Sequence, residues 1–144
     1  MKKKQIFRVL DANFNRSREG LRVCEEISRF VLDDAALTKE LKKIRHGISR
    51  CLEAPGLGYL QISRARDSHG DVGQMPSRLE QRRKNTLSLF VANMERVKEA
   101  LRVLEEFSKL VDVKSSEKFK KIRFKAYVTE KSALPKLETL RHRR

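Results

Sequence analysis

The chain has no tryptophan, two cysteines, three prolines and six glycines among its 144 residues, and each scarcity narrows what it can be. Cys24 and Cys51 lie at apolar helical positions without CxxC spacing, which argues against a disulfide framework and reads as two buried thiols. With so few helix breakers and 37% charged residues, long charge-rich helices are expected, and the fold class is all-α. No apolar run approaches the roughly 18 residues of a membrane span, and the opening MKKKQIF turns charged too soon for a signal peptide. A cytoplasmic protein with no membrane partner is therefore expected. Aromatic residues make up only 6%, which leaves Phe14 and Tyr59 as stacking candidates. GxxxxGK[ST], a GxGxxG after a strand, HExxH and any Cys/His cluster are absent, so no common nucleotide or metal motif is available. His46, His69 and His142 are scattered.

What is present is positive charge. The net charge is +15, with a pI near 10.3 and a mean hydropathy of −0.62. A polyanionic partner follows: nucleic acid, anionic lipid or a phosphorylated small molecule.

The chain is also duplicated. DANFNRSREGLRVCEEISRF (11–30) and VANMERVKEALRVLEEFSKL (91–110) agree at ten of twenty positions at a constant offset of 80. The likeness continues at an offset of 78, where Lys42-Lys43-Ile44-Arg45 answers Lys120-Lys121-Ile122-Arg123. Each copy predicts a helical hairpin. Helix one should span 5–32, and helix two should follow an Asp33 or Asp34 cap and run to 53. Helix three should span 80–111, and helix four should follow a Ser115 or Ser116 cap and stop at Leu134, before Pro135. The expected architecture is a single domain over 1–144, a four-helix bundle of two duplicated hairpins with pseudo-two-fold symmetry. It divides into repeat one (5–53), a glycine-containing loop (54–79), repeat two (80–134) and a basic tail (135–144). The loop, with RARDSHGDVG at its centre, has the composition of a phosphate or metal-phosphate loop and equally that of a linker.

Winding helix one at 100° per residue gathers Ala12, Gly20, Leu21, Val23, Cys24, Ile27, Phe30 and Val31 on one face, with Asp11, Arg18, Arg22, Glu25, Glu26 and Arg29 opposite. Asn13 and Arg16 then fall on the core side, where an unpaired charge is costly. They recur as Asn93 and Arg96, while Glu19 at the margin recurs as Glu99. Internal pairing of Arg16 with Glu19 and of Arg96 with Glu99 would explain them structurally. Convergence on a basic, amide-lined cleft between helices one and three would explain them functionally, and such a cleft suits phosphates.

In this order, DANFNRSREGLRVCEEISRF, KKIRHGI, RDSHGDVG and VANMERVKEALRVLEEFSKL resemble the small monofunctional hydroxymethylpyrimidine-phosphate kinase family of thiamin biosynthesis, often fused ahead of thiamine-phosphate synthase. The resemblance covers about residues 6–134 and rests most on the repeated A-N-x-x-R-x-x-E. It implies ATP-dependent conversion of a hydroxymethylpyrimidine phosphate to its diphosphate, with ATP and Mg²⁺ as cofactors and the synthase as a fused or separate partner. Arg16 and Arg96 are then assigned to phosphates, Asn13 and Asn93 to phosphate or the aminopyrimidine, and Arg45 to an ATP phosphate. Asp67, Asp71 and Glu99, with Glu19 beside them, become candidates for Mg²⁺. Asp11, which has no counterpart at Val91, marks one half as different and joins the substrate-binding set. A homodimer through helix faces is compatible with the sequence. The rival reading, a basic helical nucleic-acid-binding or interaction module without catalysis, accounts for the charge and leaves the core-facing Asn/Arg pairs unexplained, so no specific nucleic-acid partner is expected.

Overall fold

The computed structural model of the protein describes residues 1–74 and 82–142, without the side chains of 141 and 142. Every regular element among the described residues is helical, so the chain is all-α. Helix α1 (Lys3–Glu26) runs into a widened turn, Ile27–Val31, in which the Leu32 N–H reaches back five residues to the Ile27 carbonyl. The added residue swings Phe30 and Val31 out of the apolar face where they were expected, and both are exposed. Asp33 then adopts a left-handed φ of 49°, and Asp34 caps α2 (Ala35–Ser49) by accepting from the Leu37 N–H at 2.9 Å.

Helix α3 (Tyr59–Ser63) interrupts the central loop. Helix α4 (Thr86–Ser108) begins where Asn85 caps it, accepting from the Ser88 N–H at 2.8 Å. The expected start of that helix at residue 80 lies outside the described residues. Helix α5 (Val113–His142) follows, and here two expectations are corrected. Its first turn is held not by Ser115 or Ser116 but by Asp112, which takes the place of Asp34 in the repeat and accepts from the Ser115 N–H at 3.1 Å. The Ser116 hydroxyl is instead buried and donates to the Glu105 carbonyl at 2.8 Å. Nor does α5 stop at Leu134. Pro135 removes one N–H from the ladder, yet the helix passes through it because tertiary contacts hold both sides. Ala133 and Leu137 are buried, and the Lys136 ammonium bonds to the Asp34 carboxylate. Residues 135–142 thus continue α5, which is anchored here through the buried Leu137.

α1 packs on α4 and α2, and α5 packs on α4 and α2. The α1–α4 contact is tight at Gly20, where a Cβ would sit 2.9 Å from Val97 Cγ2 and 3.0 Å from the Asn93 carbonyl oxygen. α1 and the widened turn after it bury Leu10, Phe14, Ser17, Gly20, Leu21, Cys24, Glu25 and Ser28; α4 buries Phe90, Met94, Val97, Ala100, Leu101, Leu104, Glu105 and Ser108, each 80 residues on. The buried arc is rotated from the one expected, toward Ser17 and toward the side carrying Asp11 and Glu25. Arg16 and Arg96 fall outside it and are exposed. The wheel misplaced them because it treated Asp11 and Glu25 as solvent-facing when partners on other elements bury both.

The central loop is not structureless. Leu57, Ile62 and Ala65 are buried, and α3 packs on α1. Among the described residues, no helix is long and apolar enough to cross a membrane.

Candidate functional site

The site grows from one stripe of α1. Asp11, Phe14, Asn15 and Arg18 lie three or four residues apart and share a face of the helix. Asp11 is 3% exposed. It is held by Arg66 in a two-pronged contact, Nε to Oδ2 and Nη2 to Oδ1, each 2.8 Å. Nη2 also donates to the Tyr59 hydroxyl at 2.9 Å. The hydrogen bonds with Asp11, and then that with Tyr59, raise the Arg66 pKa above the usual guanidinium value. Tyr59 brings its ring to 5.6 Å from Phe14. Arg8 donates to the Asp67 carbonyl at 3.0 Å. Together these contacts lay residues 66–72 alongside α1.

Between helix and loop lies a cleft of about 760 Å³, lined by Arg8, Asp11, Asn13, Asn15, Arg16, Glu19, Arg66, Asp67, Asp71 and their neighbours. That volume lies within the range of small-molecule sites, about 300–1,000 Å³. Its three arginines face four carboxylates, one of which, Asp11, is spent on Arg66. The lining is therefore not basic on balance.

Asn13, 6% exposed, donates from Nδ2 to the Val9 carbonyl of its own helix at 3.0 Å, and Asn93 does the same to Leu89 at 2.9 Å. Arg16 and Glu19 are exposed at the cleft and make no ion pair among the described residues, so the internal pairing considered for them is not formed. Asp67 Oδ1 accepts from the Gly70 N–H at 2.9 Å, and Asp71 Oδ1 accepts from the Gly73 N–H at 2.8 Å. Each carboxylate spends one oxygen on the loop's own turns. Its second oxygen makes no hydrogen bond among the described residues.

Other expected residues lie elsewhere. Glu99 lines a separate cleft of about 440 Å³ with Glu95, Lys98, Arg102, Arg123 and Tyr127, so it does not join Asp67 and Asp71. Arg96 is exposed and Asn93 half-buried, and neither lines either cleft. The four recurring polar groups therefore do not converge on one site. Arg45, expected at an ATP phosphate, is committed to Glu25, with Nε to Oε2 at 2.5 Å and Nη2 to Oε1 at 3.2 Å. Its counterpart Arg123 bonds Glu105 Oε2 at 2.9 Å. All four side chains are mostly buried, and the two pairs pin α2 to α1 and α5 to α4.

No group of three or more His, Cys, Asp or Glu side chains able to hold a metal ion occurs among the described residues. Burial raises the Cys24 thiol pKa far above its usual range and pushes the Cys51 thiol up to about 11, so neither serves as a nucleophile at neutral pH. Arg66 and Arg8 were not singled out in the sequence, where the unmatched Asp11 was the signal for them, whereas Tyr59, expected as a stacking residue, does pack on Phe14.

Residues 8–132 match the model of the ThiD2 family. The chain belongs to that family. Its relatives include the thiamine-phosphate synthase of Thermosynechococcus vestitus, 40% identical over 129 residues that make up 89% of this chain and 35% of the relative. The thiamine-phosphate synthase of Synechocystis sp. is 40% identical over 130 residues, 90% of this chain and 36% of the relative. That of Rhodopirellula baltica is 38% identical over 125 residues, 86% and 33% respectively. The chain spans about a third of the length of these relatives. No solved structure matches it.

Proposed function

We propose that this chain is a kinase of thiamin biosynthesis that phosphorylates a hydroxymethylpyrimidine phosphate to its diphosphate at the expense of ATP. The relatives' name supports the pathway; it belongs to proteins of which this chain matches about a third, which leaves room for a separate activity in that third. The observation that carries the reading is the cleft between α1 and residues 66–72, with arginines, free carboxylate oxygens and an amide on one small-molecule-sized surface.

The chemistry asks little covalent help of the protein. A phosphate monoester has its second pKa at about 6, so at neutral pH the acceptor is largely a dianion and needs no general base. One of its oxygens bonds to the γ-phosphorus of ATP as the bond from that phosphorus to the β,γ-bridging oxygen breaks, and ADP leaves. The protein has to align two anions and stabilise charge on the transferring group.

Arg16 and Arg8 are placed to bind phosphates, and Asn13 offers Oδ1 to an amino group of the pyrimidine. With three arginines against four carboxylates, the cleft receives polyphosphate only together with a cation. Asp67 and Asp71 each keep one oxygen for it, which matches the one or two carboxylates by which Mg²⁺ is usually held beside substrate phosphates. Bound there, Mg²⁺ would neutralise phosphate charge. Thermodynamically the chain's own contribution is preorganisation, since the Arg66–Asp11 clamp fixes the loop before substrate arrives.

The same reading includes a duplicated four-helix bundle of α1, α2, α4 and α5 about a pseudo-two-fold axis. The matched Glu25–Arg45 and Glu105–Arg123 pairs and the matched Asp34 and Asp112 caps support it. Only repeat one carries the loop clamp, because Val91 stands where Asp11 does, so one active site per chain is expected. Measuring ATP consumption with the pyrimidine alcohol and its phosphate side by side tests the reading. Turnover with the phosphate supports it, and turnover with neither refutes it.

A further inference from the structure

Arg18, on the α1 stripe, has no counter-charge among the described residues. Its Nε is buried with no hydrogen-bond partner, and it enters no ion pair among the described residues. Its guanidinium carbon lies 5.3 Å from the centroid of the buried Phe14 ring, which in turn contacts Tyr59.

The second repeat shows what the fold does when it means to neutralise a cation at this position. Lys98, 80 residues on, bonds to the Glu95 carboxylate and to Glu130 Oε1 at 2.8 Å. Burial works against the Lys98 ammonium, but those two bonds outweigh it and hold its pKa above the ordinary value. At the matching places in repeat one stand Asn15 and Leu52, neither of them acidic. A partly desolvated guanidinium without a carboxylate costs stability, and its two carboxylates are replaced only in the half that carries the clamped loop.

We infer that Arg18 is an anion-binding residue whose ligand is the phosphate group of a phosphate monoester, received beside the Phe14–Tyr59 aromatic pair. The organic part of that ligand rests on the kinase reading; the anion site does not. Asn15 and Glu19, near Arg18 on the helix, line the cleft already described and Arg18 itself does not, so the phosphate would lie beside that cleft rather than within it. A guanidinium provides the planar, forked donor set that phosphate oxygens accept. Tyr59, 41% exposed, leaves an aromatic edge for an attached ring.

Titration calorimetry of the full chain with inorganic phosphate, and separately with hydroxymethylpyrimidine phosphate and its alcohol, tests this without turnover. Arg18→Gln should weaken both phosphate ligands by about tenfold or more, while Arg22→Gln, which removes a surface cation one turn away, should stay within about twofold. Without ligand, the thermal midpoint of Arg18→Gln should be unchanged or raised, since an uncompensated charge has been removed. Equal affinities for wild type and Arg18→Gln, or equal weakening in Arg18→Gln and Arg22→Gln, would overturn the inference. Should Arg18→Gln fail to fold, Arg18→Lys keeps the charge and loses the fork; phosphate affinity undiminished in that variant would overturn it as well. Phosphate binding lost in Arg18→Gln together with absent kinase turnover in wild type would leave the anion site standing and refute the kinase.

Discussion

Arg66 grips Asp11 with two bonds of 2.8 Å across 55 residues of sequence, and this contact ties the inter-repeat loop to α1. Asp11 is buried while the Arg66 side chain is 43% exposed. Asp11→Asn should therefore release a guanidinium that water can still solvate, at a cost of only about 1 kcal/mol. Loop order should suffer more than global stability. Limited proteolysis is expected to cut residues 60–74 faster in the variant, with a thermal midpoint little changed; unchanged cleavage would show that the clamp does not hold the loop.

Arg45 behaves oppositely, because its partner Glu25 has a side chain only 6% exposed. Arg45→Met should strand that carboxylate and cost about 3 kcal/mol or more, and adding Glu25→Leu should recover most of the loss. Denaturant unfolding of the single and double variants checks this. A single variant of wild-type stability would return Arg45 to the list of ligand-binding residues.

How much of this was legible in the sequence depends on distance along the chain. The repeat, the helices and the Asp34 cap follow from local periodicity and spacing. The buried sides of Asp11 and Glu25 do not, because burial of a carboxylate is decided by an arginine 55 or 20 residues away. Once those two were read as solvent-facing, the helix wheel turned Arg16 inward by elimination. Recurrence of Glu25 and Arg45 together as Glu105 and Arg123 was the available signal of a structural pair. Pro135 misled for a similar reason, since local propensity stops a helix that Leu137 and Lys136 hold by tertiary contact.

Gly20 sets the α1–α4 spacing. Gly20→Ala gains up to about 1 kcal/mol in helix propensity. Its Cβ, however, meets Val97 Cγ2 at 2.9 Å and the Asn93 backbone oxygen at 3.0 Å. Overpacking of that kind costs about 1–3 kcal/mol, so the variant should be less stable than wild type. A raised thermal midpoint would mean that the two helices separate more easily than the contact implies.

The α2 cap gives a pH dependence of known sign. The backbone N–H of Leu37, and then the Lys136 ammonium, hold the Asp34 pKa below its ordinary 3.8. A depressed carboxylate stabilises the fold above its unfolded pKa, and that contribution is lost as pH falls through the lower folded value. Asp34→Asn keeps a capping oxygen without the charge. Wild type should exceed it in thermal midpoint at neutral pH, with the gap closing below pH 3.8; a gap constant down to strongly acid pH would contradict the assignment.

The rate of ATP-dependent pyrimidine diphosphate formation by wild type, Arg16→Met and Arg96→Met tests the proposed kinase site most directly. Both arginines are exposed and occupy matched places in the repeat, but only Arg16 lines the cleft beside the clamped loop. Both variants should keep the wild-type thermal midpoint, since neither arginine is paired to a buried carboxylate. Loss of a phosphate-binding cation should lower the Arg16→Met rate by about 10² or more. Arg96→Met should remain close to wild type. No diphosphate from wild type, or equal losses in the two variants, would contradict a single kinase site on the first repeat.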